Sequence, residues 1–133
     1  MKKSGSKEFI IDEINIRLWN NRYNNPEGSL SESSSVLAKA LKSDYQKGIA
    51  YSRLNIAASS FLQSENNTAL KNLAEALLWF SENKDEPGYS WALNLKGNLH
   101  ESFGDYENAL IFCLKAQKLS IEIKDRETEA ETC

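Results

Sequence analysis

At 133 residues the chain is one domain in length, long enough to bury a shared core. Its 41% hydrophobic and 26% charged residues are ordinary for a globular protein, and no apolar run approaches the ~18 residues of a membrane span. A net charge of −3, with no concentrated basic face, excludes nucleic acid as the expected partner.

The opening Met1-Lys2-Lys3-Ser4-Gly5-Ser6-Lys7 reads as a flexible lead, residues 1–7. The mixed Phe9-Ile10-Ile11-Asp12-Glu13 behind it is too polar for a signal-peptide core, which points to a cytoplasmic protein. Residues 8–133 then read as one helical domain. A first helix is expected over residues 8–23, ended by Asn24-Asn25-Pro26, because proline disfavours helix in the residue before it. Pro26 suits the first turn of a second helix capped by Asn25 and reaching about Ser43, with Leu30, Val36, Leu37, Ala40 and Leu41 as its apolar stripe. A third, over residues 46–63, carries Ile49, Leu54, Ala57, Ala58, Phe61 and Leu62. The turn Ser64-Glu65-Asn66-Asn67 leads to a fourth, with Ala69, Leu70, Leu73, Ala76, Leu77 and Phe80. Asp85-Glu86-Pro87-Gly88 is the clearest break in the chain, combining capping residues with Pro and Gly. A fifth and a sixth helix fill Trp91 to Ile123 and meet across Gly104-Asp105-Tyr106. No segment alternates with period two, so the expected class is all-α.

The chain repeats itself. Gly48 and Gly88 lie 40 apart, as do Ser29-Leu30, Ala69-Leu70 and Ala109-Leu110, and likewise Val36, Ala76 and Ala116. The repeats run over about 8–45, 46–85 and 86–125. Leu54-Asn55-Ile56 aligns with Leu93-Asn94-Leu95 at an offset of 39, which implies a slip of one residue in the first helix or its turn. Lys124-Asp125 matches Lys84-Asp85, so residues 126–133 read as the opening of a further repeat, and the chain is expected to be a fragment of a longer protein.

Within Gly97-Asn98-Leu99-His100-Glu101-Ser102-Phe103-Gly104-Asp105-Tyr106-Glu107-Asn108-Ala109-Leu110, a small residue is followed by His three later, Gly at +7, Tyr at +9, Ala at +12 and, at Ala116, Ala at +19. This spacing resembles the tetratricopeptide repeat, in a long variant, since the usual repeat is about 34 residues. The stretch Leu18 to Pro26 with Ser29-Leu30 looks like the start of repeat domains that precede bacterial signalling outputs. The resemblance implies a superhelix of about three stacked antiparallel helix pairs, with Gly97, Ala58, Ala69, Ala76, Ala109 and Ala116 at close helix approaches. It also implies a scaffold that binds a peptide or protein segment in a concave groove.

Carried over position by position, the resemblance puts Trp91, Asn94, Asn98, Glu101 and Ser102 on the groove, with Ser52, Asn55, Ser59, Leu62 and Gln63 in the preceding unit. Asparagine suits such a face, because its amide both donates to and accepts from a peptide backbone. Trp91 suits a hot-spot anchor. The carboxylate-clamp members of the family place Lys and Arg there; this chain has Asn94, Asn98 and Glu101, so a neutral or partly basic segment is the expected ligand.

Enzyme chemistry is not expected. His100, the only histidine, occupies the family's aromatic packing slot and has no Cys or His companion at metal-ligand spacing. No phosphate loop or nucleophile elbow occurs, and no cofactor is implied. Cys113 and Cys133 offer no disulfide framework; Cys113, among Phe112, Leu114 and Ala116, reads as a small buried hydrophobe. The alternative to peptide capture is a regulatory or self-association domain, whose terminal helix packs on the rest of a parent protein or on a second copy.

Overall fold

The computed structural model describes the backbone from Lys2 to Thr132 and the side chains of residues 7–126. Among these residues the protein is all-α: α1 (Lys2–Asn20), α2 (Pro26–Lys42), α3 (Gln46–Leu62), α4 (Asn66–Glu82), α5 (Glu86–Ser102) and α6 (Tyr106–Thr132). The arrangement is repeat-like in its cadence. Helices α2 to α5 are each 17 residues long, and α2 to α6 start at Pro26, Gln46, Asn66, Glu86 and Tyr106, 20 residues apart.

The cadence comes from one turn used four times. Asp44, Ser64, Lys84 and Gly104 all sit at positive φ, between 53° and 81°. Each follows a helix cap, and the next residue's N–H reaches back to the helix: Tyr45 to Ala40 O at 2.9 Å, Glu65 to Ser60 O at 2.8 Å, Asp85 to Phe80 O at 3.0 Å and Asp105 to His100 O at 2.9 Å. This left-handed stop satisfies carbonyls that a helix end otherwise leaves open. Its last residue also begins the following helix. Asp85 accepts from Gly88 N at 3.2 Å and Asp105 from Asn108 N at 3.4 Å, each capping the helix after it. At α2 the same task falls to Asn25, which accepts from Gly28 N at 3.1 Å ahead of Pro26.

Three expectations are corrected. Helix α1 begins at Lys2, so the segment read as a flexible lead is helical. Because helix starts keep a strict interval of 20, no residue has slipped, and Asn55 corresponds to Leu95 rather than Asn94. Helix α6 runs unbroken through Lys124-Asp125 to Thr132, so the expected further repeat at 126–133 does not open there; Cys133 lies outside the described residues. The physical reason is local: Lys84-Asp85 is followed by Glu86-Pro87-Gly88, whereas nothing after Lys124-Asp125 breaks a helix.

The chain divides into two compact units, residues 1–79 and 80–133. In the first, α1 packs on α2 and α3, and α2 on α3. Ile11, Leu18, Val36 and Ala40 form its core, with Ile14, Tyr45 and Ile49 against them. Gly48 allows this approach, since a Cβ there would meet Ile11 Cγ2 at 2.8 Å and Ala40 Cβ at 3.2 Å. Arg53 ties α3 to α4 through Glu75 at 3.0 Å and Asn72 at 3.3 Å. In the second unit α5 packs on α6, with Gly97 at the contact: a Cβ there would lie 2.5 Å from Cys113 Sγ and 3.1 Å from Ala109 O. Ala109 and Ala116 are buried, as the expected close approach requires.

Candidate functional site

The polar residues expected on a shared face part company in the structure. Asn55 is 3% exposed, and its Nδ2 donates to Asn15 O at 3.0 Å and to Asn15 Oδ1 at 3.2 Å. Asn15, itself buried, donates to Ser52 Oγ at 3.3 Å and to Gly48 O at 3.4 Å. Gly48, Ser52 and Asn55 follow the i, i+4, i+7 spacing of one helix face, and that face is held under α1. Ser59 continues the stripe and is fully buried, while Leu62 and Gln63 are half-buried. Asn55 and Ser59 are thus packing positions, not groove positions. The cause is the register: a shift of one residue turns a helix by about 100°, which exchanges an open face for a closed one. Asn15 was the missed partner, and its interval of 40 from Asn55 was the available signal.

The α5 set behaves differently. Trp91, Asn94 and Asn98 are half-buried, and Glu101 and Ser102 are exposed. Their spacing, i, i+3, i+7, i+10 and i+11, puts all five on one face of α5. Asn94 and Asn98 make no side-chain hydrogen bond among the described residues, whereas Ser102 Oγ donates back to Leu99 O at 2.7 Å. In the 20-residue register the same positions of α3 are Tyr51, Leu54, Ala58, Phe61 and Leu62, of which the first three are buried. One register thus carries a closed apolar face on α3 and an open amide-bearing face on α5. Of the ten residues expected on the groove, α5 brings five together.

His100 lies at the far end of α5. Its Nδ1 is 3.2 Å from Asp105 Oδ2 and its ring centroid 5.1 Å from that of Phe112, the core-edge position expected for it. Lys96 Nζ stands 4.5 Å from the Phe112 centroid. The Asp105 carboxyl is held below its ordinary pKa, chiefly by the Asn108 side-chain amide at 2.8 Å; desolvation opposes this, and Asn108 N–H and His100 add to the lowering. A carboxyl with a lowered folded pKa adds stability that is full above its unfolded value, about pH 4, and is lost as pH falls through the folded value. The melting-temperature gap between wild type and Asp105→Ala is therefore expected to shrink as pH falls below about pH 4. A gap that stayed at its value near pH ~5 down to pH ~2 would contradict the assignment.

No described helix is long and apolar enough to cross a membrane. Compared with protein-family models, with curated proteins and with solved structures, the chain matches none.

Proposed function

We propose that the chain is a protein-interaction module of the tetratricopeptide kind, which binds a peptide or protein segment along the Trp91, Asn94, Asn98, Glu101 and Ser102 face of α5. The observation that carries this reading is the pair of half-buried amides, Asn94 and Asn98, one helical turn apart and without an internal partner among the described residues. An open amide both donates to and accepts from a backbone, so it holds a segment with little regard for sequence. Trp91 adds an aromatic surface at one end of the row, and Glu101 favours a neutral or basic ligand at the other. The small residues at the α5–α6 contact support the resemblance to the repeat family, as does the uniform helix cadence. A regulatory role within a larger signalling protein follows from the resemblance of the amino-terminal stretch and is part of the same proposal.

The test is a peptide selected by display against the whole chain and titrated by calorimetry. Two lost hydrogen bonds, at about 0.5–1.5 kcal/mol each, predict a roughly 5- to 150-fold rise in Kd for Asn94→Ala/Asn98→Ala. An unchanged Kd for every selected peptide would place binding elsewhere.

A further inference from the structure

Phe9 and Ile16 lie seven residues, two helical turns, apart on α1 and are 61% and 48% exposed, and Tyr23, in the turn that follows the helix, is 62% exposed. Forty residues further on stand Ile49 and Ile56 of α3 and Gln63, which caps it. On α3 that stripe is covered. Ile49 packs on the core that Val36 and Ala40 of α2 help to build, Ile56 is 6% exposed, and Gln63 Nε2 donates to Pro26 O at 3.4 Å. Thus α1 presents to solvent apolar positions whose counterparts on α3 are covered.

The seat for that face recurs on α6. Pro26, whose carbonyl accepts from Gln63, and Leu30, half-buried one turn on, lie 80 residues before Tyr106 and Leu110, which are 69% and 61% exposed. Exposed apolar side chains one turn apart on a water-facing helix mark a contact.

We infer that α1 of one copy packs on α6 of another, repeating between chains the α2–α3 contact found within one. The occupant is a second copy, because the surface that α6 lacks is the one that α1 exposes, in the register the chain already uses. The contact joins two different faces, so it is heterologous, and association by it does not stop at a symmetric pair. It is independent of the α5 face proposed above for ligand binding.

Light scattering of the full chain, measured across a thousandfold range of concentration, tests this. The mass of the wild type is expected to rise past that of a dimer. Ile16→Glu disables one face and Leu110→Glu the other, so each variant alone stays monomeric, with helicity by circular dichroism unchanged since both positions are exposed. Mixed in equal amounts, the two retain one intact pair of faces and form a 1:1 dimer that grows no further. A wild type monomeric throughout the range overturns the inference. So does a mixture that remains monomeric, or association lost in Leu110→Glu but kept in Ile16→Glu, which would mean that α6 pairs with itself. Phe9→Lys is the second α1 variant; wild-type association in both α1 variants likewise overturns it.

Discussion

Replacing Phe80 by alanine is expected to lower stability by about 3–5 kcal/mol, seen as a fall in the urea midpoint with no change in slope. Phe80 is completely buried, and its ring lies over Gly88 so closely that a Cβ on that glycine would come within 2.5 Å of it. The glycine has no side chain to lean into the space the ring leaves. A cavity that cannot collapse puts the cost at the upper end of the range. The pair also makes a sharper prediction about sign. Gly88→Ala alone is expected to destabilise, because the clash with the ring outweighs the roughly 1 kcal/mol by which alanine favours a helix over glycine. In the Phe80→Ala background the clash is gone and the helical preference remains, so the same substitution is expected to stabilise. Equal effects of Gly88→Ala in both backgrounds would show that ring and glycine do not share the space.

The second large effect separates packing from binding. Asn55→Ala is expected to cost about 1–3 kcal/mol, since it removes two hydrogen bonds to Asn15 from a buried helix contact. The loss falls in the lower half of that range, because Asn55 Oδ1 is itself a buried acceptor without a partner among the described residues, and truncation removes it too. Ligand binding by the folded variant is expected to be unchanged. Asn94→Ala/Asn98→Ala should do the reverse: stability within about 0.5 kcal/mol of wild type, and binding weakened. Chemical denaturation and calorimetry on the same preparations give both numbers.

How much of this was legible in the sequence differs from element to element. Asn25, Pro26, Asp85, Pro87 and Gly104 announce three helix boundaries, because capping, fixed φ and positive φ each demand particular residue types. The turns at Asp44, Ser64 and Lys84 take the same left-handed shape with residues that do not advertise it. There the hydrogen bond from the next residue back to the helix end offsets a local preference worth about 1–2 kcal/mol per residue. The 40-residue period was readable from Gly48 and Gly88 or from Val36, Ala76 and Ala116, and it was the better guide than the three-residue match that pulled Asn55 out of register. A match of Leu-Asn-Ile to Leu-Asn-Leu carries little information. The helix cadence, held by a turn at every twentieth residue, overrules it.

The same error explains the split in the candidate site. On α5 the expected positions do lie together, because their mutual spacing is a property of one helix. On α3 the slipped register selects Ser52, Asn55 and Ser59, which are buried in packing. Exposure is the other part the sequence could not supply. Apolar residues occur on more than one side of α1, and only the packing shows that Ile11, Asn15 and Leu18 occupy the inner face while Phe9 and Ile16 stay exposed.

The measurement that bears most directly on the central claim, that the amide face of α5 holds a ligand while the amide of α3 holds the fold, is calorimetric titration of one display-selected peptide into three proteins. The expected result is the wild-type Kd for Asn55→Ala, and a Kd roughly 5- to 150-fold higher for Asn94→Ala/Asn98→Ala. Weakened binding in Asn55→Ala with undiminished binding in the α5 variant would contradict it.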